Sequence, residues 1–191
     1  MPVQPTIHTI KVSLRNMKPP VWRRLQVPSK TSLAELHHII QAAMGWEDCH
    51  LHQFQVNGRD YADPEHAIEE TGDEGCKTLA WMRPGQRFAY WYDFGDDWWH
   101  DITVESVGRA DPALIYPRCV TGRRSCPPED CGGPWGFQEL MCALGDETHP
   151  GHERYREWMQ LIGEDDYDPA RFDLDEINEA LGRRSAGALP A

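Results

Sequence analysis

No apolar run in this sequence approaches the length that a membrane-spanning helix needs, and the first residues lack the basic and then apolar pattern of an export signal. Internal repeats and low-complexity tracts are also absent, so a repeat architecture is not expected. We expect a single domain with decorations, located in the cytoplasm and without a membrane partner.

Basic residues are also scarce. The chain has 19 Lys and Arg against 31 Asp and Glu, for a net charge of -12. A nucleic-acid partner is therefore disfavoured, because phosphate binding needs a concentrated basic surface, and a protein partner is favoured. Residues 1–30 are the exception, with six basic side chains and no acidic one. We expect this basic edge to pair within the fold.

The six cysteines come without an export signal, so we expect reduced thiols. Three of them fall within thirteen residues, namely Cys119, Cys126 and Cys131. Only the second pair has a spacing usual in structural zinc sites. The cluster is a candidate structural zinc site, with a fourth ligand from Cys142, His149 or His152. The alternative is an ordinary rigid loop shaped by the prolines and glycines of CPPEDCGG.

Local patterns predict a hairpin followed by a helix in the first part of the chain. Residues 7–14 and 21–27 alternate between apolar and polar side chains, as half-buried strands do. Ser32 and Glu35 then stand at capping-box spacing, and the apolar helical periodicity that follows stops at Gly45.

Further strands are predicted after this helix. The stretch HLHQFQVNG predicts a strand that ends in an Asn-Gly turn, and residues 59–85 predict a polar connection. The aromatic-rich residues 87–107 predict two strands around Gly95. This order predicts an α+β fold, with a β-grasp-like antiparallel or mixed sheet and one helix across a face.

The last third of the chain has a different character. An irregular Cys-containing loop precedes three helical patterns, so the single domain, residues 1–182, divides into a β-rich part of about 1–110 and a loop and helical part of about 111–182. Residues 183–191 are predicted to be a flexible tail.

The stretch YDFGDDWWHD, at 92–101, concentrates acids and aromatic rings around one glycine. A kinase-type metal triplet is excluded, since no Gly-rich phosphate loop or catalytic loop accompanies DFG. In a hairpin with a two-residue loop, Asp93 and His100 would share one face. A three-residue loop would separate them.

Two more histidines, His50 and His52, stand two apart on a predicted strand and so point to one face. Together with Asp93 and His100 they are the candidate site for zinc or another divalent metal. The alternative is structural: the Asp93 and His100 pair stabilises the turn, and the two other histidines lie at the start of a strand.

The aromatic hairpin and the CPPEDCGG loop supply a candidate recognition surface. Its residues are Trp91, Asp96, Trp99, Glu129 and Asp130. Exposed aromatic rings rimmed by charged groups suit a protein-binding surface.

Four stretches in this order carry a resemblance to a known family: PPVWRRLQVPSKTSLAELHHIIQAAMGWEDCHLHQF, YDFGDDWWHDITVE, RSCPPEDCGG and FDLDEIN. They closely resemble the plasmid pRiA4b ORF-3-like family over nearly the whole chain. The resemblance implies an α+β domain found on chromosomes and plasmids, and it brings no established biochemical activity. Some relatives are labelled transposon resolvases, but no serine here has a convincing catalytic context.

Two functions follow from these patterns. The first is a non-enzymatic binding or interaction domain, associated with mobile elements, that uses the recognition surface. The alternative is a divalent-metal-dependent hydrolase, in which His50, His52, Asp93 and His100 surround an ion that activates water.

Overall fold

A computed structural model describes residues 5–67 and 70–187, and within these ranges it confirms the predicted α+β class. The strands are β1 (Thr6–Leu14), β2 (Trp22–Pro28), β3 (His52–Val56), β4 (Arg59–Ala62), β5 (Gly72–Asp73), β6 (Arg87–Tyr92), β7 (Trp98–Arg109) and β8 (Arg118–Arg123). The helices are α1 (Leu33–Met44), α2 (Gly133–Gly145), α3 (His152–Leu161) and α4 (Leu174–Gly187). No helix in the described ranges has the length and apolarity to cross a bilayer.

All eight strands form one mixed sheet in the order β5-β4-β3-β6-β7-β1-β2-β8. Only β4 and β5 run parallel among these pairs. The central strand β1 alternates as predicted, with Ile10, Val12 and Leu14 buried on one face. The buried face of the sheet holds the core, because the period of two along each strand sends every second side chain to it.

Two arginines of the basic edge lie on the other face of the sheet. Arg15 lies 2.6 Å from Asp101, and Arg24 lies 2.6 Å from Glu105. The expectation that cations near the start of the chain pair within the fold is confirmed for these two arginines.

Helix α1 lies across the buried face and is confirmed at both ends. Ser32 and Glu35 form the capping box, and Gly45 ends the helix in the left-handed conformation at φ 83°. The side chains of His37 and Gln41 reach the hydroxyl of Tyr90 on β6, which fixes the helix over the middle of the sheet.

The structure differs from the sequence prediction at the sheet edges and at the end of the chain. Strand β4 lies within the predicted connection, and β8 lies within the predicted irregular segment. Strand β8 lies at one edge of the sheet and β4 lies next to the other edge; both are short and half-exposed, so their sequences show little apolar alternation. Helix α4 continues past Gly182 to Gly187, whereas a tail was predicted from residue 183; residues 188–191 lie outside the described ranges.

The β6 and β7 hairpin has a loop of odd length. Tyr92 pairs with Trp98 and Tyr90 with His100, so residues 93–97 form the loop. An odd loop separates Asp93 from the face on which His100 lies, because pairing by parity puts His100 with the even-numbered residues of β6.

The hairpin loop packs directly on the turn that begins α2. The backbone N–H of Gly132 donates to Asp96 Oδ2 at 2.9 Å. Gly133 has φ +68°, and a Cβ atom added there would lie 2.0 Å from the carbonyl oxygen of Asp96. Glycine is therefore required at this position both by the backbone conformation and by the close approach of the two loops.

A substitution tests this contact. Gly133→Ala should lower the free energy of unfolding by about 2–4 kcal/mol, from left-handed strain plus steric clash. Gly163→Ala is the matched control, since Gly163 has φ +76° but nothing within 4 Å of an added Cβ. It should cost about 1 kcal/mol, from strain alone. Equal losses of the two variants in urea unfolding would contradict the close packing of the loops.

Candidate functional site

Three side chains from separate segments converge on one point beside the hairpin loop. His50 precedes β3, Asp93 begins the hairpin loop, and Asp130 belongs to the CPPEDCGG loop. His50 Nε2 lies 3.1 Å from Asp130 Oδ1 and 3.7 Å from Asp93 Oδ2. Each residue offers one ligand atom within 4.8 Å of the others, so the group could hold a metal ion. We call it the His50 cluster.

The spacing in the His50 cluster suits a shared metal ion. His50 Nε2 is buried and makes no hydrogen bond, although both carboxylates are close. Two ligand atoms on one tetrahedral zinc ion, at about 2.1 Å each, stand about 3.4 Å apart. The two nitrogen–oxygen distances bracket this value. The imidazole nitrogen is therefore at ligand spacing from each oxygen, and all three atoms lie within 4.8 Å of one another.

Local structure orients Asp93 towards the cluster. Its Oδ1 accepts hydrogen bonds from the N–H groups of Gly95 at 3.0 Å and Asp96 at 3.3 Å, which leaves Oδ2 facing His50. The backbone N–H of Asp93 donates to the carbonyl of Leu51 at 3.0 Å. The hairpin loop is thus tied to the segment that carries His50.

A second set of bonds fixes the loop that carries Asp130. Tyr92 donates its hydroxyl to Glu129 Oε1 at 2.5 Å, and the N–H of Glu47 donates to Glu129 Oε2 at 2.6 Å. Trp46 Nε1 donates to the carbonyl of Pro127 at 2.9 Å. Burial, followed by the Glu129 carboxylate, raises the pKa of Tyr92, so this phenol stays a hydrogen-bond donor.

A second group of donors, the Asp48 cluster, consists of His37, His38 and Asp48. His37 Nε2 lies 2.5 Å from Asp48 Oδ1, and His38 Nδ1 lies 2.9 Å from Asp48 Oδ2. These are hydrogen-bond distances, and one carboxylate joins both imidazoles. The hydrogen bond from His37 and the nearby imidazoles hold the pKa of Asp48 well below its usual range, against the opposing effect of burial.

A pocket of about 600 Å³ runs past both clusters. Five of the nine histidines line it, namely His37, His38, His50, His52 and His66. The ring of His52 stacks on that of His37 at 3.5 Å, and His52 Nε2 lies 2.9 Å from Glu74 Oε2. Imidazoles and carboxylates therefore dominate the polar lining of this pocket.

The predicted metal site is only partly assembled. The structure brings His50 and Asp93 together, and Asp130 is the third member, in place of His52 and His100. His52 pairs with Glu74 instead. His100 is fully buried, donates from Nδ1 to the Trp98 carbonyl oxygen at 3.2 Å, and packs edge-on against Trp46. The odd hairpin loop is the physical reason why His100 is absent from the cluster.

The three clustered cysteines do not converge. Within the described residues no cysteine belongs to a group of three possible metal ligands. Cys119, Cys126 and Cys131 are buried and free, and Cys126 Sγ packs 3.0 Å from Met44 Sδ. Burial raises the pKa of the Cys131 thiol to about 12, which opposes formation of a zinc-binding thiolate. The structure supports the rigid-loop alternative for CPPEDCGG.

The predicted recognition residues fall into two places. Asp96, Glu129 and Asp130 lie where the hairpin loop meets the CPPEDCGG loop, and the first two are engaged in bonds within the fold. Trp91 and Trp99 stack on each other at 4.9 Å on the opposite face of the sheet. The acidic and aromatic parts of that surface are therefore not contiguous on one face.

The Asp48 cluster was not predicted from the sequence. The only available signal was Asp48 itself, an acid a few residues beyond the helix end. Its backbone has φ 67°, which turns the chain so that the carboxylate returns to the helix. A turn of this kind has no firm sequence signature for a residue other than glycine.

Comparisons with known proteins agree with the resemblance noted in the sequence. The profile of the plasmid pRiA4b ORF-3-like protein family matches residues 6–176. The uncharacterized protein y4hQ of Sinorhizobium fredii (strain NBRC 101917 / NGR234) is 39% identical over 183 residues, covering 90% of this chain and 89% of the relative. The crystal structure of a protein of unknown function, MM3350 from Methanosarcina mazei Go1, superposes with a TM-score of 0.81 at 31% identity. That match covers 91% of this chain and 98% of the solved one.

Two buried histidines predict loss of stability in acid. Burial lowers the pKa of His37 to about 4 and that of His100 to about 4, from an ordinary value of 6.5. The unfolded chain therefore takes up these protons first as the pH falls, and stability decreases between about pH 6.5 and pH 4. The loss is at most about 3 kcal/mol for each histidine.

Urea unfolding at pH 7 and at pH 4.5 measures this effect. His100→Gln should be less stable at pH 7 but should lose less stability on acidification than the unsubstituted protein. His66→Gln is the control, because His66 is exposed and its pKa is raised by the hydrogen bond with Asp63. It should keep the full acid loss. An unchanged pH dependence in His100→Gln would show that burial of this imidazole does not govern the response.

Proposed function

This chain belongs to the plasmid pRiA4b ORF-3-like family, and on that premise we propose that it is a metal-dependent binding domain whose His50 cluster holds a divalent transition-metal ion. The observation that carries the proposal is His50 Nε2, which is buried without a hydrogen bond and lies at ligand spacing from two carboxylate oxygens. A buried polar atom of this kind needs a partner.

Charge supports the same conclusion. The cluster places two carboxylates beside one imidazole, and a divalent cation would offset the charge of the carboxylates. Imidazole and carboxylate donors suit zinc and other first-row divalent ions, and the set contains no thiolate. We therefore infer zinc or a similar ion, bound by Nε2 of His50 and one oxygen each from Asp93 and Asp130.

The cluster also has room for a ligand from outside the chain. Three protein donors leave at least one position on a tetrahedral ion. The side chain of Asp130 is 71% exposed, so the cluster opens to solvent on that side. We infer that a donor group from a protein partner occupies this position, with Asp96 and Glu129 holding the surrounding loops in place.

Binding is favoured over hydrolysis by the neighbouring acids. A metal-dependent hydrolase needs a group that takes a proton from the metal-bound water. Glu129 has both oxygens engaged, with Tyr92 and with the N–H of Glu47, and Glu74 is paired with His52. These two carboxylates are thus already committed to hydrogen bonds.

The hydrolase alternative rests on one observation, since three protein ligands with an open position are typical of catalytic zinc sites. Incubation of the zinc-loaded protein with a p-nitrophenyl phosphodiester tests it. We expect no release of nitrophenol above that given by Asp93→Asn. Release that depends on zinc and is lost in Asp93→Asn would favour the hydrolase.

The family match, the strand order and the cysteines support the extent of the domain, its fold type and its location. We infer one domain over residues 1–182, because the match to the family profile extends over residues 6–176 across both of its parts. The succession of β1, β2 and α1 supports the β-grasp-like order. The two strands that pair with β1, namely β2 and β7, both run antiparallel to it. The six free cysteines suit the reducing cytoplasm.

Zinc titration in the presence of a chromophoric chelator tests the proposed site. His50→Ala and Asp93→Asn should each weaken one zinc equivalent by at least about 100-fold, because each removes a direct ligand. Asp93→Asn is the sharper variant, since an Asn oxygen can still accept from the N–H of Gly95 and the loop fold is kept. The matched control, His66→Ala, removes a histidine from the same pocket and should bind zinc normally. Unchanged zinc binding in both ligand variants would overturn the proposal.

A further inference from the structure

A chain of hydrogen bonds leads from the protein core to the Asp48 cluster. Gln41 Nε2 donates to the Tyr90 hydroxyl at 2.9 Å, and this hydroxyl lies 2.6 Å from His37 Nδ1. His37 Nε2 lies 2.5 Å from Asp48. Gln41 and Tyr90 are fully buried, so the chain is isolated from water along most of its length.

Proton positions in this chain follow from its donors and acceptors. A neutral His37 ring carries one N–H, on either of its two nitrogens. The Asp48 carboxylate accepts at 2.5 Å in this arrangement, so Nε2 of His37 carries the hydrogen. Nδ1 then accepts from the Tyr90 hydroxyl. In this arrangement both nitrogens of His37 are used.

The far end of the chain is incomplete. Gln41 Oε1 is buried and has no hydrogen-bond partner, while Gln41 Nε2 is used. If the amide turns over, Oε1 accepts from the Tyr90 hydroxyl, and Tyr90 in turn accepts from a hydrogen on His37 Nδ1. The same atoms thus support the opposite tautomer of His37, in which Nε2 has a free lone pair.

We propose that His37, His38 and Asp48 form a second divalent-metal site, separate from the His50 cluster, and that the chain through Tyr90 and Gln41 supplies the metal-binding tautomer of His37. The ion binds His37 Nε2, His38 Nδ1 and a carboxylate oxygen of Asp48. It replaces the two hydrogen atoms that now join the imidazoles to the carboxylate.

The proton balance of this exchange is neutral for His37. The ring loses the hydrogen on Nε2 to bulk water and takes up one from water at Nδ1, while the single hydroxyl hydrogen of Tyr90 turns from Nδ1 to Gln41 Oε1. For His38, the hydrogen on Nδ1 is displaced to water in the same way and one is taken up from water at Nε2, on a side chain that is 55% exposed. Metal-bound histidines usually donate their second N–H to an acceptor, and Tyr90 serves here as that acceptor.

Access and chemistry distinguish the two sites. The Asp48 cluster lines the histidine-rich pocket, with His52 stacked on His37 as the next imidazole along the wall. It offers two imidazoles and one carboxylate, whereas the His50 cluster offers one imidazole and two carboxylates. Nitrogen-rich donor sets favour copper and zinc over magnesium or calcium.

Electron paramagnetic resonance with Cu²⁺ counts the imidazoles on each ion. The full chain should bind two equivalents, one with two nitrogen ligands and one with a single nitrogen. His38→Ala should lose the two-nitrogen signal and retain the other, and its exposed position makes a folding defect unexpected. Asp48→Asn should weaken the same ion without removing an imidazole. His66→Ala is the control and should keep both signals.

The outcomes separate this inference from the proposed function. Loss of the two-nitrogen signal in His38→Ala, with its retention in His50→Ala, supports the second site even if the His50 cluster binds nothing. Absence of a two-nitrogen Cu²⁺ signal in the full chain, or an unchanged two-nitrogen signal in His38→Ala, would overturn it.

Discussion

The contact between the hairpin loop and the glycine turn at the start of α2 is the constraint on which the rest of the site depends. Gly132 donates to Asp96, and Gly133 lies so close to the Asp96 carbonyl that no side chain fits between them. This contact sets the position of Asp93 on one loop relative to Asp130 on the other. Without it, the two carboxylates beside His50 would have no fixed separation.

The sheet and α1 supply the rigid base beneath these loops. Trp46, just after α1, packs against Tyr92 and Trp98 and donates to the carbonyl of Pro127. Tyr92 in turn donates to Glu129. A functional site built on loops needs such support to hold ligand atoms at fixed distances. Here aromatic packing supplies it, and buried hydrogen bonds direct the loops onto it.

Sequence reasoning reached the fold class, the helix boundaries set by Ser32 and Gly45, and the membership of His50 and Asp93 in one site. The sequence also predicted His100 in that site. Local propensity does not encode the length of the hairpin loop, and one residue more or less in the loop exchanges the two faces of the strand. Asp130 was assigned to a recognition surface, since the approach of residues 37 positions apart depends on tertiary packing. The Asp48 cluster was not predicted either, because a turn at positive φ brings the acid back to the helix.

The two clusters differ in what fills the space between their donors. Hydrogen bonds join the donors of the Asp48 cluster, whereas the His50 cluster has ligand spacing and no hydrogen bond at Nε2 of His50.

The most direct test of metal binding at the His50 cluster is anomalous diffraction from crystals soaked in Zn²⁺, recorded at the zinc edge. The account predicts a peak about 2.0–2.2 Å from His50 Nε2, in contact with Asp93 and Asp130. A well-ordered His50 with no peak beside it at saturating zinc would contradict the account.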